Sequence, residues 1–375
     1  MNIIFAINHP AHYHLFKNSF KELKQKKHNP VFAIKDKDIL EQLMNSEKVE
    51  FIRLTYKRKA RSVFSTIFKG FLEILIQDVK LFGFVRKFKP DIMIGTDYSI
   101  THIGMLCRIP SIVMNEDDYE LNKLFCLLSY PFASAIVSPT LCSVGKYKKK
   151  KINYDGYQKL AYLHPAVFRS NINIVNKYFD LTKKYFLIRT VSLSAGHDIH
   201  LTGIDYQTLE KIINILSQHG NVYIINETKI PSALERYKLN IDVKDIHHIL
   251  AFASLFISDG QSMIVEAAIL GTPSIRFNSL TGKISVLEEL ENHYGLTTKI
   301  HNSRPDLLLA KINELLKSDD LNSEYLKQRE KMISEKINVS QFLTWLIENY
   351  PKNRNQIMSN PQNIQLKFKN DVSVK

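Results

Sequence analysis

The chain has 375 residues, more than one ordinary core uses and enough for two, and its 45% hydrophobic and 10% aromatic content excludes a disordered or low-complexity protein. A net charge of +14, from 51 Lys and Arg against 37 Asp and Glu, favours anionic partners such as nucleotides, nucleic acid or acidic headgroups without choosing among them. Cys107, Cys126 and Cys142 are far apart and form no CxxC pair, which argues against a disulfide framework or zinc knuckle and for a cytoplasmic compartment.

The opening run NIIFAI (2–7) reads as a buried strand, and charged Lys17 and Lys21 follow too soon for a secretory signal. The next stretch, NHPAHYHLFK (8–17), puts Pro10 and the histidines His9, His12 and His14 in the first turn after that strand. PVFAI (30–34), VEFIRL (49–54), DIMIG (91–95), SIVMN (111–115) and AIVSP (135–139) are strand-like, and amphipathic segments separate most of them. Such alternation predicts a parallel sheet with helices on both faces.

The longest apolar stretch, VFSTIFKGFLEILIQDVKLFGFV (63–85), is interrupted by Lys69, Glu73, Gln77 and Lys80. Their spacing predicts an amphipathic helix, with these residues on one face and Phe, Ile and Leu on the other, and not a membrane span. Basic KRKAR (57–61) and RKFK (86–89) bracket it. Two readings stand: a core-packed helix with solvated ends, or a segment (57–89) that touches an anionic membrane surface.

The alternation weakens over 146–171 and restarts with YFLIR (185–189), NVYII (221–225), SLFIS (254–258) and PSIRF (273–277). Helical patterns follow at 303–317, 322–336 and 338–350, and the tail 351–375, rich in Asn, Gln and Lys, predicts a flexible end. The expected organisation is two doubly wound α/β domains, 1–165 and 180–350, whose strand ends face a shared ligand cleft.

In SLFISDGQSMIVEAAILGTPSIRF (254–277) a strand ends in small polar residues before a helix. The exposed N–H groups of such a helix start favour phosphate, so Gly260, Gln261 and Ser262 are candidate phosphate contacts, and Glu266, one turn in, could accept from a ribose diol. The bare pattern also fits an ordinary strand-turn-helix with a solvated Glu. Asp97, Glu116, Asp117 and Asp118 follow strands of the first half, where carboxylates bind hydroxyls or act as acid and base. His247 and His248 are candidate base contacts or an ordinary loop pair. His9, His12 and His14 could bind zinc, but no Cys or further His cluster completes a ligand set, and no Asp-x-Asp metal motif stands in a convincing place.

The spacing of Gly260, Glu266 and Gly271 resembles the donor-nucleotide motif of GT-B enzymes, among them the transferases that add GlcNAc to lipid-linked muramyl-pentapeptide. A similar, shorter motif occurs in the non-hydrolysing UDP-GlcNAc 2-epimerases. NHPAHYHLFK, KFKPDIMIG, IPSIVMNEDD, YDGYQKLAYLHP and IRTVSLSAGHDIH resemble, in order, segments of a bacterial and archaeal family known only as a domain of unknown function near the GT-B glycosyltransferases. This likeness spans roughly residues 1–345.

The resemblance implies a GT-B-like fold of two Rossmann-like domains, with the helix start at Gly260 to Ser262 on the diphosphate and Glu266 on the ribose. Arg189, Ser192, Ser194 and His197, in the loop after the second half's first strand, would face the donor's phosphates, although Arg189 could instead only pair with Asp198. His12, with His14 second, would take the proton from an acceptor hydroxyl, while capping or packing at a helix start is the competing role of His12. The implied partners are a nucleotide-sugar, in particular a UDP-sugar, and a glycan or lipid-linked acceptor in cell-surface polysaccharide synthesis, with no metal or other cofactor required. No nucleic-acid motif is present. The alternative is an epimerase or hydrolase using Asp97 and Glu116; its third carboxylate is not matched, because Glu120 in YELNK is out of register with the epimerases' E-x-x-N-R.

Overall fold

Short runs of apolar and β-branched residues, closed by polar turns, form two parallel sheets. The computed structural model describes residues 1–35, 38–55, 63–190, 203–226, 232–280, 282–318 and 320–369. They divide into two units, Met1–Tyr162 with Lys336–Lys375, and Leu163–Glu335.

The first unit runs β1 (Asn2–Ile7), α1 (Pro10–Gln25), β2 (Asn29–Lys35), α2 (Asp38–Ser46), β3 (Phe51–Thr55), α3 (Val63–Phe88), β4 (Ile92–Gly95), α4 (Ser99–Cys107), β5 (Ser111–Met114), α5 (Lys123–Ser129), β6 (Ala135–Pro139), β7 (Lys151–Tyr154) and α6 (Leu160–Leu163). Its seven strands are parallel, in the order β3-β2-β1-β4-β5-β6-β7. Right-handed crossovers place α1 and α2 on one face and α3, α4 and α5 on the other. With both faces covered, β1 and β4 are apolar throughout their buried length, and β5 is apolar after its buried first residue, Ser111. β7 was not expected: its KINY pattern is buried at alternate residues only, as suits an edge strand opened by a lysine.

Helix α3 departs from expectation. Gln77 is fully buried, and its Nε2 donates to Asp97 Oδ1 and to Ser99 Oγ, while Leu72, Leu75, Val79 and Phe82 are exposed. The helix turns a polar residue inward because the buried carboxylate of Asp97 needs a donor. Among the described residues, no helix is long and apolar enough to cross a membrane.

The second unit runs α7 (Ile172–Val175), β8 (Tyr185–Thr190), α8 (Tyr206–Leu216), β9 (Asn221–Asn226), α9 (Ile246–Ala251), β10 (Leu255–Ser258), α10 (Ser262–Leu270), β11 (Ser274–Phe277), α11 (Ser285–Asn292), β12 (Thr298–Ile300), α12 (Pro305–Leu316) and α13 (Leu321–Glu335). The strands are parallel, in the order β12-β11-β10-β8-β9. Phe186, Ile188, Ile224, Ile257 and Ile275 from the sheet pack with Ile212 of α8 and Ile312 of α12. The three-residue β12 is too short to show a period in the sequence.

The last segment corrects the expected boundaries. Helix α14 (Val339–Ser359) belongs to the first unit, not the second, because its apolar face packs with α1. Ser19 Oγ donates to the Ser340 carbonyl at 3.1 Å, Thr344 Oγ1 to Glu22 at 2.9 Å, and Glu348 pairs with Lys26 and His28 at 3.0 Å. The expected flexible tail is helical to Ser359 and again in α15 (Pro361–Gln365). Ile357 is buried there, and Gln365 Oε1 accepts from the Asp155 N–H at 2.6 Å.

Candidate functional site

In an open parallel sheet, the loops leaving two neighbouring strands diverge where the strand order reverses, and they open a crevice at the carboxyl edge. In the first sheet that point lies between β1 and β4, and in the second between β8 and β10. Candidate residues from the sequence fall at both points.

At the β1/β4 point, His9 caps α1 by accepting from the Ala11 N–H through Nδ1, and Pro10 opens the helix, where its missing N–H costs nothing. His12 lies in the first turn, and its Nδ1 is 2.7 Å from the hydroxyl of Thr96, which directly follows β4. When Nδ1–H donates to Thr96 Oγ1, the lone pair sits on Nε2, which is then the basic atom. Gly95 lets β4 lie close against β1 just before Thr96: a Cβ there would stand 2.1 Å from the Ala6 carbonyl oxygen. His14 is placed otherwise, with its ring 5.4 Å from that of Tyr162 and 5.9 Å from that of Tyr13. The His9 and His12 rings meet edge-on at 5.7 Å, and among the described residues no group of three or more His, Cys, Asp or Glu is arranged to hold a metal ion.

The carboxylates after β4 and β5 belong to separate networks. Asp97 is buried; its Oδ1 accepts from Gln77 and from the Ser99 N–H and Oγ, and its Oδ2 is 3.5 Å from Lys35 Nζ. Burial alone would favour the neutral acid, but the Lys35 charge and the Ser99 and Gln77 donors outweigh it and hold the carboxyl below its ordinary range. Burial likewise opposes the charge on Lys35, yet Asp97 and Tyr98, whose hydroxyl is 2.8 Å away, raise its pKa. Glu116 Oε1 accepts from the Gln158 N–H at 2.6 Å, and its Oε2 is ion-paired with Lys159. Asp118 Oδ1 accepts from the Ser143 N–H, Asp117 Oδ2 from Asn122, and Glu120 from Ser143 Oγ.

At the β8/β10 point, Arg189 near the end of β8 lies opposite Ser258 at the end of β10. Ser192, Ser194 and His197 lie outside the described residues. Ser258 Oγ accepts from the Gly260 N–H at 2.9 Å, and the Asp259 carbonyl accepts from Asn278 at 3.0 Å, which holds the turn. Helix α10 then begins at Ser262 behind Gln261, with no side-chain cap and no acidic residue in its first turn. Its first N–H groups and the positive end of its dipole stand at the sheet edge. Glu266 is buried on this helix, with Oε1 3.4 Å from Nε2 of buried His247. His248 instead stacks on Phe168 at 4.8 Å and accepts from the Asn171 N–H, and burial lowers its pKa. Gly271 ends α10 at φ +80°, and the Thr272 N–H closes back onto the Ala267 carbonyl, so its role is a helix stop.

Sequence reasoning missed Thr96, Lys35, Gln77, Lys159 and Asn278. Only Thr96 carried a local signal, a small polar residue directly after the DIMIG strand; the others act through contacts distant in the chain.

No protein-family model matches the chain, and no curated protein matches it by sequence. Among solved structures, UDP-GlcNAc 2-epimerase from Neisseria meningitidis, bound to UDP-GlcNAc, aligns with a TM-score of 0.65 at 13% identity, over 93% of this chain and 100% of that one. MurG from Acinetobacter baumannii aligns at 0.58 and 13% identity, over 93% of this chain and 99% of that one. The calicheamicin glycosyltransferase CalG4 aligns at 0.58 and 9% identity, over 93% and 98%. The chain has a GT-B-like fold. The narrower likeness to the family of unknown function rests on sequence segments alone. In this GT-B-like chain, His12 and Thr96 occupy the first sheet's switch point, and the open start of α10 occupies the second's.

Proposed function

We propose that the chain is a glycosyltransferase that moves a sugar from a UDP-sugar to a glycan or lipid-linked acceptor in cell-surface polysaccharide synthesis. The observation that carries the donor assignment is the uncapped start of α10 at a switch point, with Glu266 and His247 buried beside each other behind it. Solved structures of similar fold include an epimerase bound to UDP-GlcNAc and the Staphylococcus aureus protein MnaA with UDP.

In this reading the second unit holds the donor. The N–H groups at Gln261 and Ser262, presented by the turn that Gly260 closes onto Ser258, receive the diphosphate with Arg189, Ser192 and His197, and Glu266 receives the ribose hydroxyls. The first unit supplies the base: His12 Nε2 takes the proton from the acceptor hydroxyl as its oxygen bonds to the sugar's anomeric carbon. The bond from that carbon to the diphosphate oxygen breaks, and the nucleoside diphosphate leaves with its electron pair, stabilised by the helix dipole and Arg189. Titration with UDP, GDP, CDP and dTDP tests the donor site; no measurable binding of any of the four would remove it.

An epimerase reading is favoured by the fold likeness to UDP-GlcNAc 2-epimerases and would use Asp97 and Glu116. Two observations weigh against it. Asp97 is engaged by three hydrogen bonds and Lys35, and Glu116 by Gln158 and Lys159, so both carboxylates are held in internal networks. Incubating UDP-GlcNAc without acceptor separates the two: isomerisation supports the epimerase, and an unchanged sugar supports the transferase.

A further inference from the structure

Helix α3 presents an apolar stripe to solvent. Leu72, Leu75, Val79 and Phe82 recur at helical spacing and are exposed by 39%, 44%, 69% and 37%, whereas Gln77, Leu81 and Val85 face inward. The two helices beside it on the same sheet face continue the pattern, with Met105 and Leu106 on α4 and Leu124 and Leu127 on α5, all between 49% and 72% exposed. His102 of α4 joins the three helices: its Nδ1 meets Asp78 of α3 at 2.8 Å, and its Nε2 meets the Leu128 carbonyl of α5 at 2.7 Å. Single exposed hydrophobic residues are ordinary on a protein surface, but eight on three adjacent helices mark a binding face.

The rim of this face is basic where α3 and α4 end: Arg86 and Lys87 end α3, and Lys89 and Arg108 follow α3 and α4, all exposed, with Asp91 the exposed acid near them; at the start of α5, exposed Lys123 follows exposed Asp117 and Glu120. Of the acidic residues on α3, Asp78 is taken up by His102, which leaves Glu73 as the exposed one.

We infer that the α3–α4–α5 face docks on an anionic lipid bilayer, its apolar residues entering the acyl boundary and its basic rim meeting the headgroups. A second copy of the chain fits less well, because a two-fold contact would bring two basic rims together. The inference goes beyond the nucleotide-sugar reading and stands or falls separately, since nucleotide binding is measured on the same variants without vesicles.

The test is co-sedimentation of the full chain with phosphatidylcholine vesicles, with and without phosphatidylglycerol. The chain is expected to pellet with the anionic vesicles, to stay in solution with the neutral ones, and to release as salt rises. Each basic side chain near the surface raises partitioning about fivefold, so Arg86→Gln with Lys87→Gln should lower it roughly 25-fold. Val79→Asp, at the most exposed position of the stripe, should lower it as well, and unchanged fluorescence of Trp345 shows that the fold is kept. Equal binding to both vesicle types, no binding, or binding unchanged in both variants would overturn the proposal. So would a dimer that Val79→Asp dissociates.

Discussion

Lys35→Met removes the cation that faces Asp97 and leaves a carboxylate only 2% exposed. Leaving one partner of a buried pair uncompensated costs about 3–5 kcal/mol. Asp97 keeps its three hydrogen bonds from Gln77 and Ser99, and Lys35 is itself a quarter exposed at 3.5 Å, so the expected loss is nearer ~2 kcal/mol. The pH dependence follows from the two shifts. The folded pKa of Asp97 is depressed, so its contribution is complete above the unfolded value of about 4 and is lost as pH falls through the folded one. The pKa of Lys35 is raised, so its contribution is complete below about pH 10 and is lost as pH rises through the folded value. The gap between wild type and variant should be flat between these limits and narrow in acid. Trp345, the single tryptophan, lies in the first unit, so its fluorescence in urea reports that unit's unfolding. With a slope of about 2 kcal/mol/M, the midpoint should fall by ~1 M at pH 7 and by less at pH 3. A gap under ~0.5 kcal/mol at pH 7, or one that widens at pH 3, would refute the reasoning.

His12→Ala should abolish sugar transfer while leaving the nucleotide dissociation constant unchanged; a variant that still turns over excludes His12 as the base. Thr96→Val removes the partner of His12 Nδ1 and should lower kcat about tenfold at unchanged nucleotide affinity, the value of one hydrogen bond, read by steady-state kinetics. Gly95→Ala would drive a Cβ to 2.1 Å from the backbone of β1, and it should cost about 3 kcal/mol or prevent the first unit from folding, as followed by Trp345 fluorescence.

Most of the architecture could be read from apolar runs, because a strand buried on both faces is apolar throughout. β7 and β12 escaped this logic, one as a half-buried edge strand and the other as three residues. α14 was seen as a helix but assigned to the wrong unit, since no local pattern tells which core an apolar face will meet; Ser19 and Glu22 decide it from more than 300 residues away. The same holds for the sites. NHPAHYHLFK announced a histidine turn, yet only the fold separates His12, beside Thr96, from His14, beside Tyr162. On α3 the helix was right and Gln77 was misplaced: Glu73 is exposed as expected, but Gln77 turns inward to donate to Asp97, and Leu72, Leu75, Val79 and Phe82 are exposed.

The central claim is that the start of α10 and Glu266 form a nucleotide site, and calorimetric titration with UDP tests it most directly. Wild type should bind UDP, His12→Ala should bind it equally, and Glu266→Ala, lacking charged hydrogen bonds to the ribose, should bind roughly 10- to 100-fold more weakly. Equal UDP affinity in wild type and Glu266→Ala, or no heat from UDP, GDP, CDP or dTDP with wild type, would contradict the account.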